Sequence, residues 1–475
     1  MKDKNMIIKK KCPYCFLEIS NDETGFLLKT DGARFLSPAL NDLTIPKKDM
    51  PYVLFWNAMG IPEDQIDAER TIVDNQIMTE LNQELSTAGK ELAVKHYDGN
   101  SYGYSFSVQE GAVNLYTNTM ICPHCHNALP QNFFHYDMMM VGMVGSLDSG
   151  KTVFLNSIMM DGYQVLQREN LTARSAAGNT SDPDYLQMEK DADLLFRQGI
   201  CPGHTNKAFR KPIFIEITYR LGEKTLPLIL ALYDVAGELI KENTGVGRTG
   251  FARYMDGFIC MVDPAQMHFE HATLRQQIPD EEQVLKKLRL LSLQEQIAYQ
   301  MLSNKNQKQL MNANDFMTES TVSEDYILER KAESIMESIR TGLGESLLKR
   351  KYMALTLAKS DKIEEIGEIR AYKASQLLFE REKINYGFLN MEHHFLRQEI
   401  LKELFDQKVS RLQRNLEDYK ESSLFMISAL GCDTEISQDG AQEIVKAVGR
   451  IQPIRVEEPL LWMVMKYMQE RGWLE

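Results

Sequence analysis

The hydrophobic pattern changes character at residue 138. Residues 138–144 form a short apolar run, Met-Met-Met-Val-Gly-Met-Val, that breaks into Gly145. Comparable runs follow at 213–219, 226–233, 258–262, 352–357 and 424–427. Each is too short for a buried helix, and their apolar positions are near-continuous rather than alternating. That pattern predicts strands covered on both faces. Polar or helical stretches follow most of them, so the recurrence predicts a mostly parallel α/β sheet. Two charged intervals, 280–349 and 362–418, carry apolar residues at three- and four-residue spacing, as in the stretch from Phe395 to Phe405. These predict large helical insertions on the surface of the sheet. Upstream of residue 138 the pattern is mixed, with turn residues at 98–101 and short alternation over 102–108.

Composition narrows the class. The chain has 475 residues, 43% hydrophobic and 25% charged, the profile of an ordinary multidomain soluble protein. Its formal charge of −13 argues against general nucleic-acid binding. The N-terminal apolar run spans only Met6 to Ile8, too short for a signal peptide, and no stretch approaches the ~20 apolar residues of a membrane span. A cytoplasmic location is expected. The spacing divides the chain into an N-terminal segment 1–135, a sheet domain 136–451 and a C-terminal helical extension 452–475.

The first chemistry lies where the run 138–144 ends. Gly145, Ser146, Leu147, Asp148, Ser149, Gly150, Lys151 and Thr152 spell glycine, four residues, then Gly-Lys-Thr. Glycines at the two ends let successive backbone N–H groups wrap around phosphates. Lys151 would reach the β- and γ-phosphates, and the Thr152 hydroxyl would ligate Mg²⁺. The following helix would present its positive end to the anion. The bland reading is a glycine-rich turn, but the preceding strand is the context that the phosphate loop requires.

A phosphate loop does not choose between ATP and GTP. After the run 226–233 stand Asp234 and, three residues later, Gly237. Asp234 could hold Mg²⁺ through water, and the Gly237 N–H could meet the γ-phosphate. After the run 352–357 comes Ala358-Lys359-Ser360-Asp361, in which the Asp361 carboxylate can accept both N–H groups of a guanine edge while the Lys359 stem packs along the base. After 424–427 come Ser428 and Ala429, a small-residue turn that lets a backbone N–H approach the guanine oxygen. Each fragment alone is most simply a strand-end turn. Four in order, each directly after an expected strand, carry more than any one.

In that order they resemble the nucleotide-binding elements of the translation-factor-and-Ras-like (TRAFAC) P-loop GTPases over about residues 138 to 450. Ala358 departs from the usual Asn or Thr at the head of the base-reading element, which removes a side-chain hydrogen bond but keeps Asp361. With the cysteine pairs described below and the closing Arg455-Val-Glu-Glu-Pro-Leu-Leu-Trp462, the chain looks most like the bacterial double-GTPase type 2 family. The resemblance implies GTP/GDP and Mg²⁺ as ligands, a switch function, and a protein partner within a bacterial GTPase-associated defence or conflict system.

Hydrolysis has a weaker basis. Where Ras-like enzymes place a glutamine to orient water, this chain has Glu238, whose charge opposes the γ-phosphate. Arg248 and Arg253 follow and could neutralise transition-state charge, although solvation or helix pairing is the plainer role. The switch threonine that would complete the Mg²⁺ shell must precede the strand 213–219. Thr205 fits, with Thr180 and Thr172 as rivals. The expected catalytic set is Lys151, Thr205, Gly237 and Glu238, with slow, partner-stimulated turnover. A P-loop ATPase or kinase, or a scaffold with an inactive nucleotide site, are the competing classes.

Cys12-Pro-Tyr-Cys15 and Cys122-Pro-His-Cys125 supply four thiolates, the set a structural Zn²⁺ requires. They predict a zinc-ribbon-like unit with residues 16–121 inserted between its knuckles. The redox alternative needs a helix after each pair. The sequence turns too soon after Cys15, and Pro130 blocks a helix after Cys125. Cys201, Cys260 and Cys432 read as core or loop thiols, and His393-His394 as structural.

Overall fold

The structure is a computed structural model. It describes residues 7–29, 35, 38–87, 94–98, 103–110, 113–145, 149–176, 183–202, 211–234, 250–263, 336–337, 339–361, 375–379, 382, 384–439 and 442–474. The N-terminal part is built from short strands: β1 (Lys9–Lys11), β2 (Glu18–Ser20), β3 (Gly25–Leu28), β4 (Lys47–Lys48), β5 (Glu69–Val73), β6 (Val94–Asp98), β7 (Gly103–Glu110), β8 (Val113–Thr117) and β9 (Met120–Ile121). β1 and β2 form an antiparallel pair, β4-β5-β3-β9 a four-stranded sheet, and β6-β7-β8 a three-stranded one. Because β3 pairs with β9 just before Cys122, the chain between the cysteine pairs returns to its own start.

The central sheet follows: β10 (Asp137–Gly145), β11 (Leu171–Ser175), β12 (Ile213–Leu221), β13 (Lys224–Asp234), β14 (Gly257–Val262), β15 (Tyr352–Leu357) and β16 (Glu421–Met426). It is mixed α/β with seven strands in the order β11-β12-β13-β10-β14-β15-β16. The five from β13 to β16 run parallel. β12 runs against them, because only Gly222 and Glu223 separate it from β13 and a two-residue turn permits only antiparallel pairing. All six apolar runs are strands. β11 escapes the pattern because it is a short edge strand that alternates rather than running apolar. The hairpin β17 (Asp433–Asp439) and β18 (Gln442–Val448) is too polar to stand out.

Both faces of the sheet are covered. Met139, Val141 and Met143 of β10 face one core with Phe154, Leu155 and Ile158 of helix Lys151–Tyr163 and Leu461, Trp462 and Val464 of helix Glu458–Glu470. Met140 and Val144 face the other core, shared with Cys12, Tyr14 and Phe26 from the N-terminal strands and with Leu396 and Ile400 of helix Met391–Leu416. The terminal helix buries most of its residues and so forms a layer of the sheet, where the sequence suggested an appended extension. Helix Met391–Leu416 likewise packs inward at Leu396, Ile400 and Leu401. Of the expected insertions, 280–335 and 362–374 lie outside the described residues.

Charges join these layers from within. Arg397 bridges Glu382 and Glu458, each at 3.1 Å, and so ties helix Met391–Leu416 to helix Glu458–Glu470. His393 meets Glu382 at 2.6 Å, and His394 meets Ser423 at 2.9 Å, so the histidine pair is structural. Burial pushes the Glu382 carboxyl up, but the His393 hydrogen bond and the Arg397 charge outweigh it and bring it down to about 2. A carboxyl held below its unfolded value stabilises the fold above that value and loses its contribution as pH falls through the folded one. Glu382→Gln should therefore lower stability at pH 7, by on the order of 3 kcal/mol. It should also flatten the acid-unfolding curve between about pH 4.5 and 2, measured by denaturant melts across that range; an unchanged curve would refute the linkage.

Candidate functional site

The sheet has one topological switch point. From β10 the chain runs to one side through β11, β12 and β13, then crosses to the other for β14, β15 and β16. In open α/β sheets the ligand crevice forms outside the carboxyl ends of the strands at such a reversal. The residues singled out along the sequence sit there. Gly145 ends β10, Asp234 ends β13, and Lys359 and Asp361 follow β15. Ser428 and Ala429 follow β16.

The described residues of the segment from Gly145 to Thr152 are closely packed. A Cβ on Gly145 would lie 2.6 Å from the Met261 carbonyl and 2.7 Å from Ser149 Oγ, so only glycine fits between β14 and the loop. Gly150 has φ +82°, a left-handed conformation that turns the chain into helix Lys151–Tyr163. The Lys151 ammonium donates to the Gly145 carbonyl at 2.9 Å and lies 3.4 Å from Ser149 Oγ, which draws the ends of the loop together. Ser149 is fully buried, and Thr152 is half-buried on the first turn of the helix.

The opposite wall is cross-linked. Lys359, at φ +54°, reaches back to the buried Asp263 at the end of β14, 2.5 Å away. The Ser428 hydroxyl donates to the Asp361 carboxylate and itself accepts the Gly431 N–H at 2.8 Å. Ser428 also exchanges two backbone hydrogen bonds with Ile454. Ser157, on the phosphate-loop helix, donates to the Ala429 carbonyl at 2.8 Å, so the two walls touch. The result is a rigid carboxylate, Asp361, beside an ammonium and a turn of small residues. The sequence reading missed Asp263 and Ser157. Asp263 carries the signal that identified Asp234 and Asp361, an acid immediately after a buried strand.

Not every candidate can be placed. Ser146, Asp148, Thr205, Gly237, Glu238, Arg248 and Thr180 lie outside the described residues. Thr172 is on β11 opposite Thr218, which is itself opposite Pro227 of β13, seven residues before Asp234. At ~3.3 Å per residue that is about 23 Å from the crevice, too far for a ligand to the same ion. Arg253 is exposed and precedes β14, at the edge of the sheet away from the phosphate loop.

A second constellation lies against the other face. The Sγ atoms of Cys12, Cys15, Cys122 and Cys125 all fall within 4.8 Å of one another. Cys12 and Cys125 are 3.8 Å apart, and Cys15 and Cys122 3.7 Å. A disulfide would need about 2.0 Å, whereas a tetrahedron of Zn–S bonds near 2.3 Å has edges of about 3.8 Å. The two knuckles are copies of one turn. Tyr14 and His124 N–H point at the first sulfur of their pair at 3.4 Å, and Phe16 and His126 N–H return to the first cysteine carbonyl at 3.0 Å. Phe16 and His126 both adopt positive φ, +59° and +53°. Neither pair opens a helix, which removes the redox-dithiol geometry. Burial pushes the Cys12 thiol well up, while hydrogen bonds from neighbouring thiols push Cys15 down. Four thiolates this close would repel one another, so the cluster could hold a dication such as zinc.

No family model matches the chain, and no curated protein matches it. Among solved structures, the crystal structure of sup35 complexed with GDP aligns over 62% of this chain and 38% of that chain, with 9% identity and a TM-score of 0.19. The chain thus spans well under two thirds of that protein, and a likeness so slight supports no further step.

Gly145→Ala tests the packing of the loop. Its Cβ must displace backbone at Met261, so the variant should lose about 1–3 kcal/mol of stability. It should also lose nucleotide binding at temperatures where it remains folded. Wild-type stability and affinity together would show that the loop does not pack as described.

Proposed function

We propose that this chain is a GTP-binding switch protein that holds Mg²⁺-nucleotide at the carboxyl edge of the central sheet and a structural Zn²⁺ in its four-cysteine cluster. The observation that carries the reading is the convergence at the switch point of Lys151 and Thr152 on one wall and Asp361 on the other. On this reading Gly145, Ser146, Asp148, Ser149, Gly150 and Lys151 cradle the phosphates. Thr152, Thr205 and Asp234 complete the Mg²⁺ shell, and Gly237 meets the γ-phosphate.

The base is read by Asp361, aimed by Ser428, with Lys359 packed beside it and an Ala429 or neighbouring N–H on the guanine oxygen. Adenine cannot donate two N–H groups to a carboxylate in that arrangement, so burying the site selects guanine. The Asp263–Lys359 pair takes over part of the loop-fixing role that Ala358 cannot perform, because an alanine has no side-chain hydrogen bond to offer.

Turnover is proposed to be slow. Glu238 stands where a neutral water-orienting group would act, and a carboxylate there opposes the charge of the γ-phosphate. A protein partner that supplies a cation would relieve that opposition.

Equilibrium binding decides between base classes. GTP should bind the full chain at least about tenfold more tightly than ATP, and both should weaken without Mg²⁺. Asp361→Asn should lower GTP affinity by about tenfold or more and narrow the gap to ATP. Equal affinity for the two nucleotides in the wild type would overturn the guanine assignment. Metal analysis of the purified chain should find one zinc per molecule, lost in Cys15→Ser together with thermal stability; a metal-free, equally stable protein would refute the zinc site.

A further inference from the structure

The four-cysteine cluster and the nucleotide crevice are joined by one buried side chain. Tyr233 is completely buried, and its hydroxyl donates to the Pro13 carbonyl at 2.6 Å, across 220 residues of sequence. Pro13 lies between Cys12 and Cys15, and Tyr233 is bonded directly to Asp234. We propose that Tyr233 is a positioning residue: it ties the Cys12–Cys15 knuckle to the Mg²⁺-binding end of β13, so that metal in the cysteine cluster and Mg²⁺-nucleotide at the sheet edge strengthen each other's binding. The proposal rests on the reading of both sites above.

The knuckle grips the sheet at further points. The Phe16 ring stacks on Tyr254, centroids 4.6 Å apart and nearly parallel at 6°, and Lys11 lies 4.9 Å above the same Tyr254 ring. Tyr254 precedes β14, so the knuckle touches the chain on both sides of the phosphate-loop strand. Tyr14 meets Phe214 edge-on at 5.9 Å, and Phe214 is paired with Ala231 of β13. The positions of Tyr14 and Phe16 follow from the turn that the cysteines close, because Phe16 N–H returns to the Cys12 carbonyl and Tyr14 N–H to the Cys12 sulfur.

Metal bound to the four sulfurs fixes this turn, and the turn fixes the Pro13 carbonyl. Tyr233 carries that constraint into a close-packed strand, where shifts are transmitted rather than absorbed. Asp234 acts on nucleotide through Mg²⁺, so the coupling acts on the Mg²⁺-dependent part of affinity. Linkage then requires reciprocity: nucleotide must strengthen metal retention by the same factor.

The experiment uses the full-length zinc-loaded protein, the same protein stripped by a zinc-selective chelator with Mg²⁺ in excess, and Tyr233→Phe. GTP affinity is measured with and without Mg²⁺, and zinc release is followed with a chromogenic chelator. Stripping and Tyr233→Phe should each weaken Mg²⁺-GTP binding by roughly 5- to 50-fold while leaving Mg²⁺-free nucleotide binding near the wild-type value. Mg²⁺-GTP should slow zinc release from the wild type and have little effect in Tyr233→Phe. If the stripped protein unfolds, Tyr233→Phe decides alone, since it keeps all four thiols. A Tyr233→Phe protein that holds one zinc and matches wild-type Mg²⁺-GTP binding overturns the coupling but leaves the GTP reading intact. A wild type that binds no GTP overturns both.

Discussion

Strand β10 is buried on both faces and paired on both edges, and the placement of every other layer answers that constraint. Met139, Val141 and Met143 need an apolar cover on one side, and Met140 and Val144 need one on the other. A strand whose last seven residues are buried can expose its chemistry only at its end. Gly145 is that end, and it lies at the reversal of strand order on either side of β10, the position where open α/β sheets place a ligand crevice. The same burial makes the strand a stiff mount, from which the chain leaves Gly145 at a fixed point.

The two covers differ in kind. Helices Lys151–Tyr163 and Glu458–Glu470 supply a conventional apolar layer on one face. The other face is shared between helix Met391–Leu416 and the N-terminal cysteine-bearing strands. Strands this short cannot build a large core of their own, and small units of that kind depend on metal or on neighbours for stability. Here the neighbour is the sheet itself. Tyr14, Phe16 and the Pro13 carbonyl are received by Phe214, Tyr254 and Tyr233, so the first cysteine knuckle packs directly against the sheet.

Among the described residues, several buried charges sit in compensated groups. Arg397, Glu382, Glu458 and His393 form one such group between two helices, and Asp49 with Arg70 and His126 forms another beside the second cysteine pair. Each fixes an angle between elements that apolar contact alone would leave adjustable. After β14 and β15 a pair of the same kind links two strand ends: Asp263 is buried and its partner Lys359 half-exposed, so the pair holds the turn after β15 against the end of β14.

Local patterning along the chain encodes the strands of the central sheet and the residues at their ends. Near-continuous apolar runs of four to eight residues mark strands buried twice over, and all six such runs fall on strands of the central sheet. The acids and glycines at the ends of those runs were legible as site candidates because a strand end is where a parallel sheet presents side chains. The two Cys-x-x-Cys pairs were legible as one cluster from ligand number alone. What depends on contacts between distant residues was not legible. No periodicity reveals that the last helix is a layer of the sheet, because burial depends on what lies opposite. The partnership of Lys359 with Asp263, of Ser157 with Ala429 and of Tyr233 with Pro13 was equally hidden. A hydrogen bond across 220 residues leaves no mark on local spacing; only the closing of the sheet against the cysteine strands brings its donor and acceptor together.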